Sequence, residues 1–413
     1  MVEEDAVTLV SDAEATSLDQ LAAFDLETLV SGAVRLRADR VAIADSTTGD
    51  AVPLSFAEFD RRASALAGFW LDLGLKPGER ILVAGGAAAT SVIALIAGLR
   101  AGLDVALVPL HLSGEEILDF VCDTEAVALA ADAAYGELAP AEELLGVASQ
   151  APRVRLVCSL GGGRVDGAVD ADPEKLAAMT RRSATTRTGE TRILTRAQNG
   201  EVVIHRQKTL VAAALDLVTR ARIGMRLPVV ATIAPVTFAG LVAGPVAALL
   251  AGAPLLLHGP FAAAGFTALL ERAGPAHVVA PAAMLPALQR AGLLAAETLA
   301  SLILVSRRDD LGAPPASELP RDLAHHDPAR AAAHAAGEGE PPPIVDLFAI
   351  GENAAVPEVR GRDDDGVPGL AEPHYISLDD RRILAVGRGA TFALEGAAVT
   401  EGAESRMEER ARI

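Results

Sequence analysis

Aromatic side chains are nearly missing from this sequence, at 3% of 413 residues, so any large core must be built from aliphatic groups. With 51% hydrophobic residues, mostly Ala, Val and Leu, there is enough material for two or more domains of ordinary size. Cysteine is almost absent. Cys122 and Cys158 have no metal-ligand spacing and cannot supply a disulfide framework, which predicts buried thiols in a reducing compartment. Positive charge is also in deficit: 36 Lys and Arg against 55 Asp and Glu leave a net charge of −19. A nucleic-acid partner needs a basic face, so that class is excluded. The N-terminal residues Met1-Val2-Glu3-Glu4-Asp5 are acidic and lack the pattern of a signal peptide. The uncharged window from Leu227 to Leu257 is long enough to imitate a membrane span. Pro228, Pro235, Pro245 and Pro254 cut it into pieces, with Gly240, Gly244 and Gly252, and predict a buried strand–helix–strand. No membrane span is expected, and the expected location is cytoplasmic.

What is present is a regular alternation of apolar strands and amphipathic helices. Residues 1–30 read as a polar lead-in with a helix near Leu18–Leu29. Val41–Ala44 reads as a strand, followed by a hairpin turn at Ser46–Asp50. Ser55 and Glu58 have capping-box spacing at the start of a helix that buries Phe59, Ala63, Leu66 and Trp70 and ends at Gly74. Strands at Ile81–Ala84, Asp104–Pro109 and Ala126–Ala131 alternate with helices at Thr90–Arg100 and after Ser113. That order predicts parallel sheet built from βαβ units, an α/β fold of layered sheets flanked by helices.

Several of these segments carry a more specific likeness. Leu54-Ser55-Phe56-Ala57-Glu58-Phe59, Leu73-Gly74-Leu75-Lys76-Pro77-Gly78-Glu79-Arg80-Ile81 and Leu99-Arg100-Ala101-Gly102 occur in order and at the right spacing. Together they resemble the opening of the adenylate-forming enzymes, the acyl- and aryl-CoA ligase family. Pro235 to Leu257 and Phe266 to Pro281 continue the likeness, which fades after about Glu352. The resemblance implies the large N-terminal domain of that family over residues 31–400, with subdomain boundaries near 180 and 340. Residues 401–413 form a charged tail, and Glu338–Pro343 and Asp363–Gly366 read as loops. The family also carries a C-terminal lid with a catalytic lysine, and the expectation is a chain without it.

The resemblance also locates the family's sites in this sequence. The signature phosphate loop falls on Thr195-Arg196-Ala197-Gln198-Asn199-Gly200, read as a turn between the strand ending at Leu194 and a helix around Leu210. Thr195 and Gly200 keep two of its positions, while its lysine, its other glycines and most of its hydroxyls are gone. Those parts cradle ATP phosphates by close backbone approach and hydroxyl hydrogen bonds. Phe348-Ala349-Ile350-Gly351-Glu352 resembles the segment that in the family meets adenine, phosphate and magnesium, which makes Phe348 and Gly351 vestigial nucleotide positions and Glu352 the metal candidate. Phe238 stands where the family has a histidine at the acyl pocket, and it is also the candidate contact surface. Arg307, Arg308, Asp309 and Asp310 replace the family's adenine turn. The histidines, His325, His326 and His334 among them, form no nucleophile setting.

No catalytic residue is assigned. The leading expectation is a degenerate, lidless homologue of the ligases, non-catalytic, acting as a binding, scaffold or assembly protein with a protein partner or as a homo-oligomer. The alternatives are an active AMP-forming acid–thiol ligase with divergent motifs, which needs ATP and Mg as cofactors, and a binding protein for acyl or aromatic acids.

Overall fold

The computed structural model describes residues 24–46, 53–179, 190–293, 299–308, 343–350, 352, 354–359, 374–378, 381–385 and 393–394. The chain opens with helix α1 (Leu26–Arg37), whose first turn is capped by Asp25, the Oδ1 accepting from Thr28 N at 2.7 Å. The expected helix near Leu18–Leu29 falls mostly on residues 1–23, which lie outside the described residues; within its span, Leu26–Leu29 are helical.

Strands β1 (Val41–Asp45) and β2 (Leu54–Ser55) pair antiparallel, and helix α2 (Phe56–Asp72) follows. Ser55 Oγ caps α2 by accepting from Glu58 N at 3.2 Å. The capping box is only half formed, because the Glu58 carboxylate turns outward to Arg61 and Arg62 instead. Next come β3 (Arg80–Gly85), α3 (Ala89–Arg100), β4 (Asp104–Pro109), α4 (Gly114–Thr124) and β5 (Ala128–Ala131). Ser113 and Glu116 make a complete capping box on α4. Helix α5 (Pro140–Ala148), strands β6 (Leu156–Ser159) and β7 (Val169–Asp170) and helix α6 (Pro173–Met179) lead to β8 (Arg192–Arg196) and β9 (Val202–Arg206). These strands form a sheet in the order β7-β6-β5-β3-β4-β8-β9, parallel throughout except for the β8–β9 pair.

A second sheet begins after helix α7 (Gln207–Arg220). It contains β10 (Val229–Ala231), β11 (Leu255–Leu257), β12 (Ala276–Pro281), β13 (Leu299–Arg308), β14 (Ile344–Ile350) and β15 (Ala354–Val359), in the order β15-β14-β13-β12-β10-β11-β1-β2. Strands β15 and β2 close its two edges antiparallel. Between β10 and β11 runs one helical stretch: α8 (Phe238–Leu241), a π-helical turn at Val242–Val246 that accommodates Pro245, and α9 (Ala247–Ala251). The proline-rich window is thus a strand–helix–strand, as its punctuation predicts. No helix among the described residues is long and apolar enough to cross a membrane. A three-stranded antiparallel sheet, β16 (His374–Leu378), β17 (Arg381–Ala385) and β18 (Ala393–Leu394), ends the described chain.

The largest core lies between the two big sheets, where α2, α3, α7 and the α8–α9 stretch meet the inner faces of both. Helix α3 is buried along nearly its whole length, which explains why it is apolar all round rather than on one stripe. Its last residue, Arg100, is buried and held by Glu27, Asp60 and Ser64. Helices α4 and α5 cover the outer face of the first sheet, while α10 (Ala263–Ala273) and α11 (Leu285–Arg290) cover that of the second. The result is the expected layering of sheets flanked by helices. Cys158 is buried as expected, and burial pushes its thiol up to about 12; Cys122 departs from the expectation and is exposed.

Candidate functional site

The turn at Ala197–Glu201 joins two strands, not a strand and a helix. Residues 202–206 alternate between buried and open positions, with Val203 and His205 inward and Ile204 and Arg206 outward, so they form β9 against β8. The period-2 pattern in Val202-Val203-Ile204-His205 outweighs helix formation until Gln207. The helix that follows in sequence, α7, therefore does not start at this turn. The turn closes on itself: Ala197 N donates to Glu201 O at 2.8 Å and Gly200 N to Ala197 O at 3.0 Å. Asn199 Oδ1 accepts from Glu201 N at 3.2 Å, and Gly200 has φ +93°, a conformation that favours glycine. Arg196 reaches over to Glu116 at 3.4 Å.

The inward side chains of the two strands face the core. Thr195 Oγ1 and His205 Nε2 share a hydrogen bond of 2.7 Å, both residues buried. Burial alone pushes the His205 pKa down to about 3, so the ring is neutral. Its other neighbour is Phe238, with ring centroids 4.9 Å apart. Phe238 opens α8 behind its cap Thr237, and its backbone N–H donates to Glu352 Oε2 at 2.7 Å. Glu352 sits in the turn between β14 and β15 with φ +61°, and it is 4% exposed. Phe348 lies on β14, buried, opposite Val356.

Three of the positions singled out from sequence, Thr195, Phe238 and Glu352, thus converge on one buried cluster, His205 linking Thr195 to Phe238 and the Phe238 backbone N–H linking it to Glu352. Gly200 lies at the turn above, and Phe348 is in the strand below Glu352. Gly351, Asp309 and Asp310 lie outside the described residues, as do His325, His326, His334, the loops at 338–342 and 363–366 and the tail. Arg307 and Arg308 end β13 and do not form a turn. One expectation needs correction. Phe238 is 1% exposed, so it offers no contact surface: its ring lies in the core beside His205. One oxygen of the buried Glu352 carboxylate accepts from the Phe238 backbone N–H. His205 was missed because a histidine in an apolar strand carries no motif. The signal available was its place in the alternation, two residues after Val203. Among the described residues, no group of three or more His, Cys, Asp or Glu side chains is gathered to hold a metal ion.

Residues 31–190 match the family model described as AMP-binding enzyme. The layered architecture is that of the N-terminal domain of adenylate-forming enzymes, so the resemblance read from the motifs is matched by a family model over that stretch and by the fold over most of the chain. Over 94 residues the chain is 39% identical to the salicyl-AMP ligase / salicyl-S-ArCP synthetase of Mycobacterium tuberculosis, a match covering 22% of this chain and 16% of that protein. Among solved structures, acetoacetyl-CoA synthetase from Streptomyces lividans aligns with TM-score 0.64 and 18% identity, over 88% of this chain and 60% of the other. ATP-bound MatB from Rhodopseudomonas palustris aligns with TM-score 0.63 and 18% identity, over 92% and 74%. The chain thus spans less than two thirds of the acetoacetyl-CoA synthetase, and its match to the salicyl-AMP ligase covers a small part of that protein.

Proposed function

We propose that this protein is a non-catalytic relative of the AMP-forming ligases, a binding or scaffold protein that keeps the N-terminal fold without the nucleotide chemistry. The observation that carries the reading is the buried Thr195–His205–Phe238–Glu352 cluster. The residues that the family pattern assigns to phosphate, acyl group and magnesium have inward partners: Thr195 bonds His205, the Phe238 ring lies beside His205, and Glu352 accepts from the Phe238 backbone N–H. A hydrated magnesium ion keeps several waters and needs room around its carboxylate ligand. Glu352, enclosed and bonded to a backbone N–H, leaves little. The turn above it is closed by its own backbone hydrogen bonds, which takes up N–H groups that would otherwise face an anion.

The second reading, an active AMP-forming acid–thiol ligase using ATP and Mg, is favoured by the family match over 31–190 and by the salicyl-AMP ligase relative. On that reading an aromatic acid is the substrate class. Titration of the purified protein with ATP and magnesium in a calorimeter separates the two. The expected outcome is binding too weak to give a measurable heat. A micromolar dissociation constant, about −8 kcal/mol, would count against the non-catalytic reading and promote the ligase one.

A further inference from the structure

Among the described residues, three histidines stand within hydrogen-bond distance of a hydroxyl side chain. His205 meets Thr195, His277 meets Ser301 at 2.8 Å, and His258 meets Ser46 at 2.7 Å through its Nδ1. Thr195 and Ser301 are fully enclosed, at 0% exposure, so those two pairs can only tie the core together. Ser46 is half-buried, and its hydroxyl is the one of the three within reach of a molecule from outside. The 212 residues that separate Ser46 from His258 explain why the histidines show no nucleophile setting in the sequence.

The backbone fixes this pair firmly. Strands β1 and β11 run parallel with Asp45 opposite Leu257, so Ser46 and His258 are the next residues beyond their carboxyl ends. Ser46 N donates to Leu257 O at 3.2 Å, and His258 N donates to Ala231 O at the end of β10 at 2.9 Å. Beyond the carboxyl ends of parallel strands is where open α/β sheets commonly take their ligands. The imidazole is locked as well. Phe261 and Phe266 lie with ring centroids 5.6 Å from it, and at Gly265 a Cβ would stand 3.1 Å from its Cε1. His258 is 3% exposed, whereas Phe261 is 50% exposed and forms an apolar lip beside it. Nε2 lies 3.1 Å from the Ala262 carbonyl oxygen and 3.2 Å from the Ala262 N–H. In the tautomer that donates Nε2–H to that carbonyl, Nδ1 accepts the Ser46 hydroxyl proton. Burial, opposed by the Ala262 carbonyl, holds the His258 pKa below the ordinary 6.5, so the ring is a neutral base at neutral pH.

We propose that Ser46 is a nucleophile with His258 as its base, an acyl-acceptor site for esters of apolar acids. A hydroxyl, a base within hydrogen-bond reach and a third group orienting that base are the parts such a site needs, and the Ala262 carbonyl is the third. Ser46 Oγ adds to the ester carbonyl carbon as its proton passes to His258 Nδ1. The Ala262 carbonyl then accepts from the Nε2–H of the charged ring. The bond from the carbonyl carbon to the alcohol oxygen breaks, and the proton leaves on that oxygen. Ser46 keeps the acyl group, with its apolar end against Phe261. The reaction uses neither ATP nor magnesium, so it stands apart from the nucleotide turn and from either reading of it.

The test mixes the purified protein with 4-nitrophenyl butyrate, follows the released nitrophenolate and locates the acyl group by peptide mass spectrometry. The wild type should give a burst and carry butyrate on Ser46. Ser46→Ala should lose both, and His258→Gln should slow acylation about 100-fold. Phe261→Ala should slow the butyrate ester about tenfold more than the acetate ester, because only the longer chain reaches the lip. Ser46→Cys guards against a His258 variant that fails to fold: it should be acylated at the same position, since a thiol also attacks esters. Butyrate found only on lysines, or equal bursts from the wild type and Ser46→Ala, would overturn the proposal. A folded His258→Gln that reacts at the wild-type rate would do the same. Nitrogen-15 NMR reads the tautomer without any substrate. A bare Nδ1 is expected, and a proton on Nδ1 removes the base.

Discussion

Two junctions tie the eight-stranded sheet to the seven-stranded one, and they bury polar groups in opposite ways. At the first, Thr195, His205, Phe238 and Glu352 meet as a neutral ring pair flanked by two hydrogen bonds. At the second, where the Tyr135 ring lies over Gly86 and Gly259, Asp132 gives one oxygen to Thr90 Oγ1 and keeps the other enclosed without a hydrogen-bond partner. Burial disfavours the charged form in both cases. For a histidine that form is the acid one, so the group costs nothing at neutral pH; for an aspartate it is the form present at neutral pH, so the cost is permanent there. The same physical term, applied to a base and to an acid, moves the two pKa values in opposite directions in one molecule.

The most forceful way to break the first junction is Phe238→Ala. The ring is enclosed beside His205, and removing it leaves a cavity that the surrounding helices cannot close completely. The expected loss is about 3–5 kcal/mol in urea unfolding. A loss below about 1 kcal/mol would mean that the ring is not part of the core, and would restore it as a free pocket or contact residue.

Protonating His205 is the next largest step. Its folded pKa of about 3 lies below the ordinary 6.5, so the stability it contributes is complete above pH 6.5 and is lost as pH falls toward 3. Between pH 7 and pH 5 the wild type should lose about 2 kcal/mol more than His205→Gln, which cannot titrate. His277, bonded to Ser301 and pushed down to about 4 by burial, adds an acid response of the same sign in both proteins and so cancels in the comparison. Parallel stability curves for the wild type and His205→Gln would show that the ring is solvated and the junction open.

Much of this was legible from sequence because the early chain obeys local rules. Apolar strands such as Ile81–Ala84 and capped helices such as the one after Ser113 announce themselves by periodicity and spacing, and the motif likeness extends through them. Residues 202–206 were harder. Their five positions alternate, but a helical run follows so closely that the strand was absorbed into a strand–turn–helix reading. The meeting of His205 with Phe238, and of Phe238 with Glu352, depends on how two sheets face each other across 33 and 114 residues of chain (205 to 238, and 238 to 352). No local pattern encodes that distance. Phe238 therefore looked like an open position, although its neighbours in sequence, Val236, Ala239 and Leu241, are as buried as it is. Asp132 and Tyr135 carry no motif at all, and only the packing of Tyr135 on Gly86 and Gly259 draws attention to them.

The smallest expected effect sharpens the contrast at the turn above the first junction. Gly200 has φ +93°, and an added Cβ would meet only the end of the Arg196 side chain, at 3.4 Å. The penalty for Gly200→Ala is therefore backbone strain and not collision, about 1 kcal/mol, or a fall in melting temperature of roughly 2 °C. If the turn serves only to connect β8 and β9, that fall is the whole effect, because Ala197, Asn199 and Glu201 keep their hydrogen bonds within the turn. If the turn instead lies against a phosphate, a methyl group at Gly200 blocks close backbone approach. Nucleotide affinity would then drop as well, in addition to the same fall in melting temperature. Measuring both quantities on one variant distinguishes a glycine kept for its dihedral angles from one kept for its lack of a side chain. The closed hydrogen bonding of the turn predicts the former.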